Sequence, residues 1–137
     1  VSGEHQGQVA VPEAHAQCTE VLSIMRRLDD PRQVATFDSL GFLHTLYHAG
    51  AASLRGNPHV GLLRDLREET QADLFNTLEQ YLDLGGNGVA TADALHIHRS
   101  TLNYRLQRIT QLLQEDLTDP LTRLNLQVAI KQMRMFD

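Results

Sequence analysis

Leu102, Leu106, Ile109 and Leu113 recur at i, i+4, i+7 and i+11, a spacing that gathers them on one narrow side of an α-helix and scatters them over both faces of a strand. Any fold open to this chain must therefore offer that helix a core. The same stretch, HIHRSTLNYRLQRI over residues 96–109, is basic and rich in hydroxyls, although the formal net charge is −5. The charge is unevenly spread: up to His98 six arginines stand against thirteen carboxylates, and from Arg99 onward six cations stand against four. Binding to a polyanion depends on local potential rather than on the sum, so the C-terminal third is the basic part.

Other segments repeat the helical pattern. From about Pro12 to Leu28, Cys18, Val21, Leu22, Met25 and Leu28 mark one amphipathic helix that ends at Asp29, Asp30 and Pro31. VATF at 34–37 is a short β-prone run. Asp38 is expected to cap a second helix carrying Leu40, Leu43 and Tyr47 and closed by Gly50. Residues 51–61, with Gly56, Asn57, Pro58 and Gly61, read as a hinge or a short broken helix. Thr70 and Asp73 resemble a capping box for a helix over 71–84, buried through Leu74, Phe75, Leu78, Tyr81 and Leu82. Gly85 and Gly86 stop it, and Asn87 caps the next. A last helix starts at Asp119 and Pro120, with Leu121, Leu124, Val128 and Met133 expected on its buried side. With 5% aromatics and no tryptophan, the core must be mostly leucine, alanine and valine. The expected class is all-α: a helical bundle containing a helix-turn-helix, with a short helical N-terminal segment.

The short helix at 89–95, the residues His96, Ile97 and His98, and the helix at about 99–113 form the helix-turn-helix pattern. Ala92 and Leu95 are expected to pack against Leu102 and Leu106, with Ile97 in the corner. At ~100° per residue, the face opposite Leu102 and Ile109 carries Ser100, Asn103, Tyr104 and Gln107, flanked by Thr101 and Arg108. No acidic residue occurs between Asp93 and Glu115. A helix facing only solvent usually alternates acids with bases, because such pairs stabilise it. Duplex DNA repels carboxylates, accepts arginine at its phosphates and is read in the major groove by Asn, Gln and Arg.

From Leu74 to Ile130, and above all in GGNGVATADALHIHRSTLNYRLQRI and DLTDPLTRLNLQVA, the chain resembles the C-terminal helix-turn-helix domain of the PucR/CdaR family of bacterial transcriptional regulators. HRSTLNYRL is similar, more distantly, to the Fis-type helix-turn-helix. FDSLGFLHTL at 37–46 and GLLRDL at 61–66 resemble the helical segment that joins the family's GGDEF-like domain to its reading head. The resemblance implies that residues 1–60 are the tail of an upstream regulatory region with its linker, and that residues 61–137 are the DNA-binding domain. It also implies a regulator with a small-molecule effector bound upstream; a cytoplasmic location is expected from the single cysteine, Cys18.

Position on the helix then assigns expected contacts. His98 and Arg99 lie at the tip of the recognition helix, with Arg99 the first choice for a guanine and Asn103 for an adenine. Ser100 and Gln107 are expected to read bases directly or through water. Thr101, Tyr104, Arg105 and Arg108 are expected at phosphates, although Arg105 lies near enough to the seam to pair internally instead. Thr91 and Asn87 are lesser phosphate candidates. The expected partner is double-stranded DNA, bound by a homodimer, with no cofactor, no metal and no membrane.

Two other readings remain open. A helical protein-protein interaction or dimerisation module would use the Leu, Val and Ile of residues 121–133 without touching DNA. An enzyme would need a site: His44 and His48, at i and i+4, have a metal-binding spacing, but HTLYH lacks the glutamate of a zinc protease motif and no carboxylate is evident to complete a ligand set. Cys18 is the sole cysteine, beside Val21 and Leu22, and reads as packing rather than as a nucleophile. GGNG lacks the Lys and Ser or Thr of a phosphate-binding loop. VSGEHQGQ has neither block of a signal peptide, and its first residue, Val1, suggests a piece of a longer protein.

Overall fold

The computed structural model describes residues 11–28, 37–69 and 73–137. Among these the regular structure is entirely helical: α1 (Val11–Leu28), α2 (Phe42–Ala49), α3 (His59–Glu68), α4 (Leu74–Asp83), α5 (Gly88–Leu95), α6 (Arg99–Leu113) and α7 (Pro120–Phe136), with short 3-10 turns at Phe37–Ser39 and Ala51–Gly56. The all-α expectation therefore holds. The chain divides into two compact units, one of residues 54–131 and one of the described residues up to Ser53 together with Gln132–Asp137.

In the larger unit, α6 packs against α3, α4 and α5. Leu102 and Ile109 are fully buried and Leu113 nearly so, while Leu106 at the edge of the strip is half-buried. Val60, Leu63 and Leu66 of α3 and Leu74, Phe75, Leu78 and Leu82 of α4 are buried as well. Both sets follow the spacing that puts one helix face in a core. Asp73 caps α4, its Oδ1 accepting from the Asn76 amide at 3.4 Å; Thr70 lies outside the described residues. At the other end, the Gly86 amide donates to Tyr81 O (2.8 Å) and the Gly85 amide to Leu82 O (3.0 Å). This is the paired bonding of a Schellman stop, with Gly85 at φ 69° and Gly86 at φ 76°. A Cβ on Gly86 would also meet Arg123 Nε at 3.2 Å. Lys131 Nζ (3.2 Å) and Gln127 Nε2 (3.0 Å) both reach the Asp83 carboxylate, tying α7 to α4.

The smaller unit has its own core of Val21, Ile24, Leu40, Leu43 and Met135, lined by Met25, Leu28, Leu46, Tyr47 and Phe136. An Arg27 Nη1–H donates to the Met135 carbonyl, and the same guanidinium lies 5.9 Å from the centroid of the Phe136 ring.

Three local expectations are corrected. Leu22 is 62% exposed; Ile24, three residues beyond Val21, takes the core position instead. Asp38 does not cap α2: it lies in the 3-10 turn, and α2 begins four residues later behind Gly41 at φ 57° with no side-chain cap. The VATF run falls outside the described residues except for Phe37. In α7, Leu121 and Leu124 are 63% and 55% exposed, whereas Leu126, Ala129, Ile130 and Met133 are buried. At ~100° per residue the two sets lie on opposite sides of the axis. Asp119 does begin α7, its Oδ2 accepting from the Thr122 amide at 2.8 Å.

Leu102→Ala is expected to lower unfolding stability by ~2–5 kcal/mol and Leu121→Ala to stay within ~0.5 kcal/mol of wild type, read by urea denaturation. Equal losses would contradict this α7 register. Gly86→Ala forces a left-handed residue with a side chain against Arg123 and is expected to cost ~1–2 kcal/mol in the same assay.

Candidate nucleic-acid interface

The stretch that carries the candidate contacts is α5, a sharp turn and α6. Asn87 caps α5 through Oδ1, which accepts from the Ala90 amide at 3.0 Å. The Thr91 hydroxyl donates to Asn87 O at 2.7 Å, and Thr91 is fully buried, which removes it from any outer surface. The turn then depends on one left-handed residue. His96 sits at φ 55°, ψ 42°, its amide donating to Asp93 O (3.2 Å) and the Ile97 amide to Ala92 O (3.1 Å). This is again a Schellman pair, with histidine where glycine is usual. Ala92 is buried, while Leu95 and Ile97 are half-buried.

His98 is the N-cap of α6. Its Nδ1 accepts from the Ser100 amide at 3.1 Å and lies 2.8 Å from Ser100 Oγ. Accepting through Nδ1 leaves Nε2 as the protonated nitrogen of a neutral ring. Sequence reasoning placed His98 at the helix tip but missed this role, because capping is usually a task of Ser, Thr, Asp or Asn.

The polar side of α6 is solvent-exposed. Arg99, Ser100, Thr101, Asn103, Tyr104, Gln107 and Arg108 are all exposed, Tyr104 at 65%. Among the described residues Arg99 and Arg108 form no ion pair. The Arg99 guanidinium lies over the start of α5, where a Cβ on Gly88 would stand 3.7 Å from Nη2. The partial positive charges of two helix N-termini thus adjoin a cation there. Arg105 differs: it is half-buried, and Nη1–H donates to Thr77 Oγ1 of α4 at 3.1 Å. This is the internal pairing that its place near the seam allowed.

Asn103 and Gln107 also line an open groove of ≈ 710 Å³, shared with Tyr81, Thr110, Gln111 and the 116–118 turn. Gln111 lies two turns beyond Tyr104 on the same outward face. Helical projection alone could have added it to the candidates. Asp116, just beyond the C-terminus of α6, also lines the groove. The Thr118 hydroxyl (2.6 Å) and amide (2.9 Å) donate to its Oδ1 and hold its carboxyl below the usual carboxylate range. A fixed negative charge therefore bounds the acid-free surface at the C-terminal end of α6, and the N-terminal half is the part suited to an anion.

Residues 74–131 match the family model of the PucR C-terminal helix-turn-helix domain. Over 78 residues the chain is 37% identical to the proline-responsive transcriptional activator PutR of Bacillus subtilis (strain 168), covering 57% of this chain and 19% of that protein. It is 37% identical over 75 residues to the purine catabolism regulatory protein of the same organism, covering 53% and 14%. Similarity to the DNA-binding transcriptional activator AdeR, also from B. subtilis, is lower at 26% but runs over 129 residues, 91% of this chain and 31% of that protein. The chain thus spans less than a third of the length of these relatives. No solved structure matches it. No helix among the described residues is long and apolar enough to cross a membrane.

His98→Ala is expected to cost ~1 kcal/mol and His98→Asn, which restores a capping oxygen, to cost a few tenths at most. His96→Gly is expected to raise stability by ~0.5–1 kcal/mol by relieving the left-handed turn. Chemical denaturation reads all three, and a loss in His96→Gly would contradict the turn described.

Proposed function

We propose that this chain, whose residues 74–131 match the PucR C-terminal helix-turn-helix domain, is the DNA-binding part of a transcriptional regulator and that α6 is its recognition helix. It lies in the major groove of double-stranded DNA with its N-terminal half toward the bases. The observation that carries this reading is the exposed, acid-free face of α6 with two arginines that pair with no carboxylate among the described residues. Such a face forgoes the ~0.2–0.5 kcal/mol that each i, i+4 acid–base pair would contribute to the helix, and carboxylates there would repel a polyanion.

Within this reading, Arg99 hydrogen-bonds a guanine edge and Asn103 an adenine, with Ser100 and Gln107 reading neighbouring bases directly or through water. Thr101, Tyr104 and Arg108 hold phosphates. Arg105 keeps Thr77 on one N–H and offers its remaining donors to the backbone. His98 caps the helix and presents Nε2–H at its tip. A homodimer sets two such heads on half-sites about one helical turn, ~34 Å, apart. Residues 1–60 form the end of an upstream regulatory region whose effector binding governs the output, in a regulator of catabolic or metabolic genes. The exposed Leu121 and Leu124 of α7 favour a protein partner for that helix, which accords with a dimer and is also the feature that an interaction module without DNA would use.

Site selection from a random duplex pool, followed by anisotropy on the selected and on a scrambled duplex, tests the assignment. Arg99→Ala is expected to lose ~1–3 kcal/mol on the selected duplex and little on the scrambled one. Arg108→Ala is expected to weaken both alike and to reduce the salt slope by about 1. Equal losses on both duplexes for both variants would refute the division of roles, and no selected sequence would favour the interaction module.

A further inference from the structure

Glu20 of α1 is an anomaly in a leucine-rich unit: it is a carboxylate only 9% exposed, and no arginine or lysine is paired with it in the ion pairs described. Its two oxygens meet two imidazoles instead. Glu20 Oε1 lies 2.5 Å from His44 Nδ1, and Oε2 lies 3.0 Å from His48 Nε2, both on α2. His44 and His48 lie one turn apart with ring centroids 4.4 Å from each other and planes tilted by 59°. The three donor atoms all fall within 4.8 Å of one another.

We propose that Glu20, His44 and His48 form a binding site for a divalent transition ion of the zinc class, bridging α1 to α2. Two imidazoles and one carboxylate are a donor set that suits such ions and is poor for calcium or magnesium, which require several oxygens. In a tetrahedral site with ligands at ~2.0–2.1 Å, donor atoms stand about 3.3 Å apart. The observed separations reach that arrangement by small side-chain rotations, with the two hydrogen bonds opening to admit the ion. The imidazole side chains are 44% and 58% exposed whereas that of Glu20 is 10% exposed, so the carboxylate anchors the ion from within and water completes the coordination from outside. Without the ion, ring N–H groups donate to the carboxylate and keep it satisfied. Loading requires each imidazole to carry its proton on the ring nitrogen away from Glu20, so that the nitrogen facing the carboxylate is free to ligate.

The sequence offered half of this site. The i, i+4 histidine pair was visible, but the carboxylate lies 24 and 28 residues earlier in the chain, and only the approach of α1 to α2 joins them. All three residues belong to the smaller unit, outside the stretch 74–131.

The test is titration of the 137-residue chain, freed of tags and of metal by chelation, with Zn²⁺ against a chromogenic competitor, and with Co²⁺ to read coordination from its visible absorption. One equivalent is expected to bind, with at least a tenfold loss of affinity in His48→Ala and in His44→Ala, and none in the His96→Ala, His98→Ala double variant. His48 is exposed, so its variant should keep the wild-type circular dichroism, which shows that it is folded. Glu20→Gln, nearly isosteric, is expected to weaken binding and alter the Co²⁺ spectrum. Absence of stoichiometric binding, or binding that survives the His44→Ala, His48→Ala double variant, would overturn the proposal.

Discussion

Burial of one strip of α6 is the constraint on which the larger unit rests. Leu102 and Ile109 have no exposed surface, and the helices that pack on α6 bring buried side chains of their own: Val60, Leu63 and Leu66 from α3, Leu74, Phe75, Leu78 and Leu82 from α4, and Ala92 from α5. Full burial of a leucine or isoleucine contributes about 1.5–3 kcal/mol, so the strip fixes the rotation of α6 about its axis. Rotation in turn decides which residues face water. Ser100, Tyr104, Gln107 and Arg108 are outward because Leu102 and Ile109 are inward. The apolar seam and the polar outer face are therefore two consequences of one packing arrangement, and a substitution that loosens the seam would disturb the face without touching it.

Direction along the chain is set by a different kind of interaction. The left-handed turn at His96 and the imidazole cap at His98 end one helix and start the next within three residues, which allows α5 to brace α6 while the tip of α6 stays clear. The two bonds of the turn satisfy carbonyls that α5 would otherwise leave without partners. Arg99 over Gly88 then places a cation beside the starts of both helices. Asp116, whose carboxyl the Thr118 hydroxyl and amide hold below the usual range, follows α6 at the other end. Local hydrogen bonds thus give the exposed face its polarity along α6, from a cationic tip to an anionic boundary.

Much of this was legible in the sequence, for identifiable reasons. The α6 seam, the Gly85–Gly86 stop, the Asn87 cap and the Asp119 start of α7 each depend on side chains or backbone within a few residues, so spacing and residue type sufficed. The α7 register was not legible because that helix is apolar on two sides, and Leu121 and Leu124 look as suitable for burial as Leu126 and Ile130 until the neighbours are known. Leu22 and Ile24 in α1 posed the same ambiguity. The cap at His98 escaped notice because imidazole is an unusual capping group, and the Glu20 partner of His44 and His48 because it is distant in sequence. The internal bond from Arg105 to Thr77 could be foreseen as an option but not chosen, since a long side chain near a seam reaches either way.

The claim that matters most is that the acid-free face of α6 meets DNA. It is tested most directly by placing a carboxylate there: Tyr104→Glu on the outward face of α6, beside Thr45→Glu, an equal charge change on exposed α2, with binding to a mixed-sequence duplex followed by fluorescence anisotropy at low salt. The account predicts that Tyr104→Glu lowers affinity more than tenfold while circular dichroism is unchanged, and that Thr45→Glu binds within about twofold of wild type. Equal effects of the two substitutions, or undiminished binding by Tyr104→Glu, would contradict it.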